Sequence, residues 1–282
     1  MLFSLIVPTI KRKDYLTHFF STLANQELKD FEIIVIDQNP AGFLDDIIFD
    51  WNSKLSIIHK NVDFKGASRA RNYGIQFSKG QYIAFPDDDT AYQPNTLKSV
   101  NINFLSNQAI DICITGCKDK NLNYAPNKSY FEDKYKIKSI WDLFKTRAVT
   151  SQIFLRKSIL ASLAPEPFDI YMGPGSATRF GANDDTDFLL KAYKNKSLLF
   201  VDKQIIIFHP SHYPDHKKAY IYGLSRFRLI QKHQLGFLFY LVNVFQPFVR
   251  LFSKRDFRRI KSYIASFLGR SGLEVKFPGL FH

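Results

Sequence analysis

The chain has 282 residues, of which 45% are hydrophobic, so it carries enough apolar material for a large core, which argues against a disordered or fibrous protein. Its formal net charge of +13 lies at one end, because residues 216–282 hold 13 Lys and Arg against two acids, and residues 1–215 hold 26 against 24. This distribution predicts a near-neutral domain over residues 1–215 and a basic extension over residues 216–282.

The amino terminus and the cysteines give an expectation about location. Residues 1–8 lack the basic region and long apolar run of a signal peptide. Cys113 and Cys117 have no Cys or His partners at the spacing of a zinc site, so we expect reduced thiols that serve packing. Together these features predict a cytoplasmic protein.

The first part of the chain alternates apolar runs with helical patterns. Apolar runs predict strands at residues 3–7, 31–37, 55–59, 82–86 and 110–115. Helices are predicted over residues 11–27 and 94–106, and residues 66–77 predict a loop that enters a helix. Such alternation predicts an α/β fold with a doubly wound, mostly parallel sheet and right-handed crossovers.

The rest of the chain is less regular until the basic extension begins. Residues 118–138 are polar with little periodicity and predict a long surface loop, whereas residues 140–144 predict a short helix. A strand and a helix are expected within residues 151–163, and two further strands at 198–201 and 204–208. The spacing of apolar residues in the basic extension predicts helices.

The strand at residues 82–86 ends in three consecutive carboxylates, Asp87, Asp88 and Asp89. Open α/β sheets bind ligands at the carboxyl ends of their strands. Repulsion among the three charges would be relieved by a hard cation such as Mg²⁺ or Mn²⁺ shared with a diphosphate. A solvated acidic turn that caps the next helix is the alternative interpretation.

A second acidic cluster, which includes Asp184 and Asp185, begins an apolar helix. Helix caps and the helix dipole favour acids at this position whatever their function. A glycine-rich turn at residues 172–176 precedes it and would allow a ligand to approach the backbone closely.

Five motifs in order over residues 3–212 resemble the inverting family 2 glycosyltransferases of the GT-A fold. They are Ser4-Leu5-Ile6-Val7-Pro8-Thr9, Glu32-Ile33-Ile34-Val35-Ile36-Asp37, Gly66 with Ala70-Arg71-Asn72 and Gly74, Phe85-Pro86-Asp87-Asp88-Asp89, and Asn183-Asp184-Asp185-Thr186-Asp187-Phe188. The resemblance implies a GT-A domain over residues 1–215, with a nucleotide-sugar half over 1–115 and an acceptor half over 116–215.

The resemblance implies donor-binding roles for residues of the first half. Asp37 resembles the acid that reads the nucleotide base, and Pro8 and Thr9 resemble residues that line the nucleoside pocket. Arg71 and Asn72 match the loop under the ribose and diphosphate. The donor is accordingly expected to be a nucleotide sugar, with UDP as the expected nucleotide.

It also implies a metal site. Asp87 and Asp89 match the two aspartates of the family's Asp-x-Asp motif, which implies that they reach the ribose and the metal; Asp87 and the variable position Asp88 are also assigned to the nucleotide sugar. His209 resembles a histidine that some members use as a further ligand of Mg²⁺ or Mn²⁺, and His212 competes for that role. A structural role for either histidine stays open.

The pair Asp184-Asp185 resembles the family's Glu-Asp motif, whose second acid is the general base. Asp185 is therefore expected to deprotonate the acceptor hydroxyl, which would invert the anomeric centre. Asp184 replaces the usual Glu and is expected to orient its neighbours or bind acceptor. Acceptor contacts are expected from Gly175, Ser176 and Arg179, although glycine turns also serve as plain connections.

The basic extension predicts an attachment surface. Residues 235–252 are largely apolar but interrupted by Asn243, Pro247 and Arg250, so they suit a bilayer interface better than a membrane span. Cations flank this segment, and apolar residues recur at a helical spacing typical of a core: Phe257, Ile260, Ile264, Phe267 and Leu268. Simple packing on the catalytic domain or another subunit is the alternative, and no nucleic-acid-binding module is recognisable.

These features predict a metal-dependent inverting glycosyltransferase, a hexosyl- or N-acetylhexosaminyl-transferase, peripheral on the inner face of the cytoplasmic membrane. Its expected acceptor is a lipid-linked saccharide of capsule or similar cell-surface polysaccharide synthesis. The alternatives are transfer to a protein or a teichoic-acid-like polymer, or a non-catalytic scaffold that binds nucleotide sugars. Survival of both acidic motifs favours catalysis over the scaffold.

Overall fold

The computed structural model describes residues 1–119, 133–210, 214–255 and 257–275. The described strands are β1 (Phe3–Thr9), β2 (Phe31–Asp37), β3 (Ile57–Asn61), β4 (Tyr82–Ala84), β5 (Ala91–Tyr92), β6 (Ile112–Lys118), β7 (Lys134–Lys136), β8 (Ile153–Arg156) and β9 (Leu199–Phe208). The described helices are α1 (Lys13–Ala24), α2 (Asp45–Asn52), α3 (Ala67–Ile75), α4 (Thr96–Ser106), α5 (Ile140–Thr146), α6 (Asp184–Lys194), α7 (His216–Lys232), α8 (Phe237–Lys254) and α9 (Ile260–Ser271).

The strands form one mixed sheet in the order β3-β2-β1-β4-β8-β6-β9-β5, with β7 also paired to β9. Neighbours from β3 to β4 are parallel, β8 is antiparallel to both β4 and β6, and β9 is parallel to β6. Strand β9 therefore runs in the same direction as β1, β2 and β4. This sheet confirms the predicted α/β fold with a mostly parallel centre.

This topology gathers the strand ends that the sequence singled out. In the β1–β2 register Thr9 lies opposite Asp37. The acids at 87–89 follow β4, and His209 follows β9, so both lie at the same edge of the sheet as Asp37. The carboxyl ends of parallel strands share one edge, which explains how residues far apart in sequence meet there.

Two features of the sheet differ from the sequence-based expectations. The predicted surface loop over residues 118–138 is interrupted by β7, which pairs antiparallel with β9. Residues 120–132 of the predicted loop lie outside the described part of the chain. The two strands expected at 198–201 and 204–208 form the single strand β9, whose pairing with β6 shifts register between Thr115 and Gly116. The prediction missed this continuity because residues 202–204 are polar, and a bulge accommodates them.

Both faces of the sheet are covered by apolar side chains. One cluster packs β1 and β2 against α3, α5 and α6, and the other packs their opposite face against α1, α2 and α4. Strands buried on both faces need nearly continuous apolar runs, which the first two strands have. Cys113 lies buried in the second cluster, and burial raises the pKa of its thiol to about 12. Both cysteines are free thiols, as expected.

The basic extension folds as three packed helices. Gly223 of α7 faces Gly269 of α9, and a Cβ on Gly269 would lie only 2.7 Å from the Leu224 amide nitrogen. These two glycines let the helix backbones touch. No described helix is long and apolar enough to cross a membrane.

The outer helices carry apolar residues that are not in the core. Phe257, Ile260 and Ile264 are 53%, 44% and 43% exposed, whereas Phe267 and Leu268 of the same pattern are partly buried and Leu268 packs on the core between α7 and α9. The core-like spacing therefore holds for the last two residues and not for the first three. Helical spacing shows that residues share a face but not what that face contacts.

The first helix of the extension is joined to the catalytic part by Asp187 of α6. This buried carboxylate lies 2.8 Å from both Lys232 Nζ and His233 Nε2. Although burial pushes the pKa of Asp187 upward, the hydrogen bond with His233 and the charges of Lys191 and Lys232 lower it to about 2. The division at residue 216 stays a prediction, because an ion-pair network crosses it.

Candidate active site

Three side chains of the kind that bind metals meet at the edge where β4 and β9 end. Nε2 of His209 lies 3.4 Å from Oδ2 of Asp87 and 3.3 Å from Oδ1 of Asp89. One candidate ligand atom from each residue lies within 4.8 Å of the others. The structure thus brings together the three residues that the sequence proposed as ligands, whereas His212 lies outside the described residues.

The donor set fits a hard divalent cation. Oδ1 of Asp89 is buried and accepts no hydrogen bond from any described residue. Although burial pushes the pKa of Asp87 upward, His209 and Arg71 hold it well below its usual range. An ionised carboxylate and a buried oxygen without a donor are what Mg²⁺ or Mn²⁺ would stabilise.

The middle acid of the triplet has different partners. Asp88 accepts a hydrogen bond from Thr9 Oγ1 at 2.8 Å and lies 3.1 Å from Nη1 of Arg12. Arg12 also reaches Oδ2 of Asp89 at 2.6 Å. Burial is the main cause that raises the pKa of Asp88 to about 6. The sequence analysis missed Arg12, whose position just beyond the end of β1 was the available signal.

Arg71 lies between the two acidic clusters. Its Nη2 donates to Asp87 Oδ1 at 2.7 Å, and its Nη1 donates to Asp184 Oδ2 at 2.7 Å. Nη2 also donates to Thr150 Oγ1 at 3.0 Å. The side chain is only 2% exposed. Arg71 therefore contacts both acidic motifs. Its guanidinium is already engaged by these acids and cannot serve a diphosphate alone.

Asp37 has its acceptor capacity taken up by neighbours. Its Oδ1 accepts from the backbone and side-chain nitrogens of Asn39 at 2.9 and 2.7 Å, and its Oδ2 lies 3.0 Å from His59 Nε2. Despite burial, these partners lower the pKa of Asp37. The sequence analysis missed His59, because nothing local indicates that β3 places it beside the end of β2.

A cleft of about 580 Å³ opens next to Asp37, and Asn39, Asn61, Phe64 and Tyr73 line part of it. Its size suits a nucleoside, and it combines aromatic surface with amide groups. Pro8 and Thr9 end the neighbouring strand β1. Asp37 therefore lies behind the lining residue Asn39 and holds it in place through hydrogen bonds.

Asn72 holds a loop rather than pointing into the cleft. Its amide nitrogen donates to Phe168 O at 2.7 Å, and its Oδ1 accepts from Phe168 N at 3.0 Å. Ser68 Oγ likewise donates to Met172 O at 2.8 Å. Helix α3 thus fixes the backbone of residues 168–172 through two of its polar side chains.

The glycine-rich turn that follows packs closely on the acids. Gly173 has φ +93°, and a Cβ there would lie 2.6 Å from the carboxyl carbon of Asp184. Gly175 has φ +73° and lies against Gly66 at the start of α3. Both positions require glycine for their backbone conformation and for space. Ser176 pairs with Thr178, and Arg179 forms an exposed ion pair with Glu274.

Asp185 differs from its neighbour Asp184. Arg71 neutralises Asp184, whereas Asp185 accepts hydrogen bonds only from Thr186, through its backbone nitrogen and its Oγ1, among the described contacts. Burial and the charge of Asp184 raise the pKa of Asp185 to about 7. Such a carboxylate can accept a proton near neutral pH.

Helix α7 faces this carboxylate. Burial raises the pKa of Tyr222, and the charge of Asp185 adds to this rise. The charge of Asp185 also acts to raise the pKa of Arg226. These two residues are four apart on one helix face. The sequence analysis placed neither near the acids, because the packing of α7 could not be read from its pattern.

Comparison with known proteins agrees with this arrangement. Residues 4–163, more than half of the chain, match the family model described as Glycosyl transferase family 2. The chain is 26% identical over 136 residues to the poly(ribitol-phosphate) beta-N-acetylglucosaminyltransferase TarS of Staphylococcus aureus, covering 47% of this chain and 24% of TarS. It is 24% identical over 202 residues to a PGL/p-HBAD biosynthesis glycosyltransferase of Mycobacterium tuberculosis, covering 70% of this chain and 72% of that protein.

Solved structures share the fold. The structure of S. aureus TarS 1-349 in complex with UDP-GlcNAc has a TM-score of 0.63 at 19% identity, with 82% of this chain and 67% of that chain covered. The mannosyltransferase PcManGT from Pyrobaculum calidifontis, in complex with GDP-Man and Mn²⁺, has a TM-score of 0.61 at 12% identity, with 83% and 64% covered. Both are GT-A folds similar to this one.

Arg71→Met keeps an apolar stem but removes the cation between Asp87 and Asp184. Because two carboxylates then lose their buried partner, we expect the free energy of unfolding at pH 7 to fall by roughly 3–5 kcal/mol. The difference from the wild type should shrink as the pH falls below about 3.9, the unfolded pKa of Asp, because the contribution of Asp87 requires an ionised carboxylate. Urea unfolding followed by circular dichroism measures both effects.

The matched control is Arg69→Met, two residues earlier in the same helix. Arg69 is exposed and stacks on the ring of Phe64, with Cζ 4.3 Å from the centroid. Its loss should change the free energy of unfolding by less than about 1 kcal/mol. Similar losses in the two variants would contradict the bridging role of Arg71.

Proposed function

This chain belongs to glycosyl transferase family 2, and from that membership we propose that it transfers a sugar from a nucleotide-sugar donor to an acceptor hydroxyl group. The single observation that carries the proposal is the joined acidic site. Asp87, Asp89 and His209 converge at one sheet edge, and Arg71 ties them to Asp184, next to Asp185. A scaffold without activity would have no need to keep a second, unpaired acid beside this network.

The donor binds across the ends of β1, β2 and β4. The cleft bordered by Asn39 and Asn61 takes the nucleoside, and Arg12 and Arg71 lie on the side where the diphosphate would be. Guanidinium groups suit phosphate oxygens because they donate several hydrogen bonds in a plane. UDP is our preferred nucleotide, in keeping with the UDP-GlcNAc bound to the structurally similar TarS.

Asp87, Asp89 and His209 would hold Mg²⁺ or Mn²⁺. When bound, the cation would supply positive charge to the departing nucleoside diphosphate. The residues themselves prepare the site, because Arg71 and His209 keep Asp87 ionised. The similar PcManGT structure contains Mn²⁺.

Asp185 acts as the general base. Its raised pKa reflects burial and the neighbouring charge of Asp184, and Asp184 in turn is positioned by Arg71. A base on the side opposite the leaving diphosphate gives an inverted anomeric centre. The backbone of Gly173 lies beside Asp184, so the turn that also holds Gly175 is the surface that we assign to an acceptor sugar.

The acceptor is a lipid-linked saccharide at the inner face of the cytoplasmic membrane, as needed for cell-surface polysaccharide synthesis such as that of capsule. Helix α8 supports this part of the proposal. Five of its apolar side chains are 46–71% exposed along one stripe: Leu238, Val242, Phe245, Val249 and Phe252. With the net positive charge of residues 216–282, this stripe suits the surface of an anionic bilayer.

A polymer acceptor is the second candidate. The printed name of the relative TarS describes a poly(ribitol-phosphate) acceptor, and this relative matches 47% of the chain. Transfer to a protein and a scaffold role have no comparable support.

Metal dependence is tested by donor hydrolysis across a panel of nucleotide sugars, with Mn²⁺ or with EDTA. We expect turnover of one donor with Mn²⁺ and its loss in EDTA. Asp89→Asn should lower kcat/KM by roughly a hundredfold or more, because it weakens the only site proposed for the cation. Asp50→Asn, an exposed acid on α2, is the charge-matched control and should match the wild type. Turnover that persists in EDTA would reject the metal, and absence of any donor would reject the function.

The role of Asp185 predicts a pH profile. A base must be deprotonated to act, so kcat/KM should rise with pH and level off above an apparent pKa of about 7. Asp185→Asn should lose roughly 10²–10⁴-fold in kcat and lack this limb of the profile. The same limb in the variant at reduced rate would assign the pKa to another group.

Membrane association is tested by sedimentation with vesicles that contain anionic lipid. The variant Val242→Ser/Phe245→Ser/Val249→Ser should lose most of the bound fraction, because it removes apolar area that would enter the interface. Phe49→Ser removes an 82% exposed side chain on α2, outside the basic extension, and should bind like the wild type. Equal sedimentation of both variants would remove the membrane from the proposal.

A further inference from the structure

Three arginines from three different helices of the basic extension converge behind Asp185. They are Arg226 of α7, Arg250 of α8 and Arg270 of α9. A Cβ on Gly223, three residues before Arg226, would lie 3.0 Å from the Arg270 backbone nitrogen, and Arg270 donates to Asn243 and Gln246 on the helix that carries Arg250. Besides burial, the charge of Arg147 at the end of α5 lowers the pKa of all three arginines. Burying like charges close together is unfavourable, and a bound anion would relieve the repulsion between them.

The cluster lacks carboxylate partners among the described residues. Nη1 of Arg226 is buried without a hydrogen-bond acceptor. Arg270 is 8% exposed and donates only to neutral oxygens: Asn243 O at 2.8 Å, Gln246 Oε1 at 2.9 Å and Ser266 Oγ at 3.3 Å. Unpaired buried guanidinium groups of this kind are costly for the free protein.

Packing explains part of this arrangement but leaves the charge unbalanced. The Arg226 guanidinium lies over the Phe144 ring, with Cζ 4.5 Å from the centroid. A ring covers the face of the group and leaves its in-plane N–H groups without acceptors. Burial and the charges of its arginine neighbours lower the pKa of Arg226 to about 10 and that of Arg250 to about 10.

Asp185 interacts electrostatically with Arg226 but forms no ion pair with it in the described structure. An acceptor hydroxyl at Asp185 would leave the next group of the acceptor facing the arginines, so the chemistry of that group is expected to be anionic.

We propose that Arg226, Arg250 and Arg270 form a binding site for the diphosphate of the acceptor, adjacent to the proposed base Asp185. Planar guanidinium groups match phosphate oxygens in charge and in hydrogen-bond geometry. In a saccharide linked to lipid through a diphosphate, sugar, diphosphate and lipid follow one another. In this protein Arg226 interacts with Asp185, and Arg250 lies on the same helix as the apolar stripe of α8.

This inference rests on the proposed transfer to a hydroxyl at Asp185, so its test avoids turnover. The full chain is titrated calorimetrically with inorganic pyrophosphate and with farnesyl diphosphate, in EDTA and without donor. We expect binding of both by the wild type. Arg226→Gln and Arg250→Gln should weaken it by roughly tenfold to a hundredfold, because each removes a charged donor.

Arg228→Gln is the matched control. It lies on the same helix, carries the same charge and is exposed. It should change the affinity by less than about twofold, as expected for an exposed charge. Absence of binding by the wild type, or an equal loss in Arg228→Gln, would overturn the inference. If the diphosphates bind as expected while no donor is ever turned over, the proposed function fails and the anion site stands.

Thermal unfolding separates binding from folding. Because Arg250 is a half-buried cation without a carboxylate partner, Arg250→Gln should melt at the same temperature as the wild type or higher. A lower melting temperature would mean that Arg250 is structural and would count against the inference. Tighter binding of farnesyl diphosphate than of pyrophosphate assigns the phosphate to a lipid-linked acceptor. Equal affinities assign it to a water-soluble phosphate acceptor.

Discussion

The arrangement of the site depends on one buried guanidinium, that of Arg71. It binds Asp87 after β4 and Asp184 at the start of α6, each at 2.7 Å, although the two acids are far apart in sequence. Moving two carboxylates out of water is costly, and direct ion pairs with good geometry are what compensate. Arg71 therefore holds the acids that follow β4 and the acids at the start of α6 in their relative positions.

The acids acquire different properties from this one contact. Asp87 is held ionised by Arg71 and His209, whereas Asp185, one residue beyond the paired Asp184, has no cation bound to it and a raised pKa. Carboxyl groups whose environments shift their pKa values apart can take different chemical roles. Asp184 thus serves as a positioning residue: it anchors α6 on Arg71 and raises the pKa of its neighbour.

Local pattern was sufficient for the frame of the fold. Continuous apolar runs located β1, β2 and the acids after β4, because a strand buried on both faces has no other sequence signature and its end is marked by polar residues. The family motifs then identified Asp87, Asp89, Asp184 and Asp185 as a set. Their grouping in space is observed, and their individual roles stay predictions.

Contacts between residues far apart in the sequence could not be predicted from the local sequence pattern. Arg12 and His59 lie in segments that look like an ordinary helix start and an ordinary strand, and only the sheet order brings them to Asp88 and Asp37. Strand β7 was missed because three residues with alternating exposure give too little periodicity. The same limit applied to Asn72, whose family position indicated a ligand contact but whose amide binds the Phe168 backbone.

The charge of the extension is best understood as two separate populations. One is external and flanks the apolar stripe of α8. The other, Arg226, Arg250 and Arg270, is partly or fully buried, where water screens its charge less. Lys232 and His233 fix the end of α7, the helix that carries Arg226, on Asp187. An extension needed only for attachment would not require this link, so the ion pairs at Asp187 argue that the basic helices complete the acceptor side of the site.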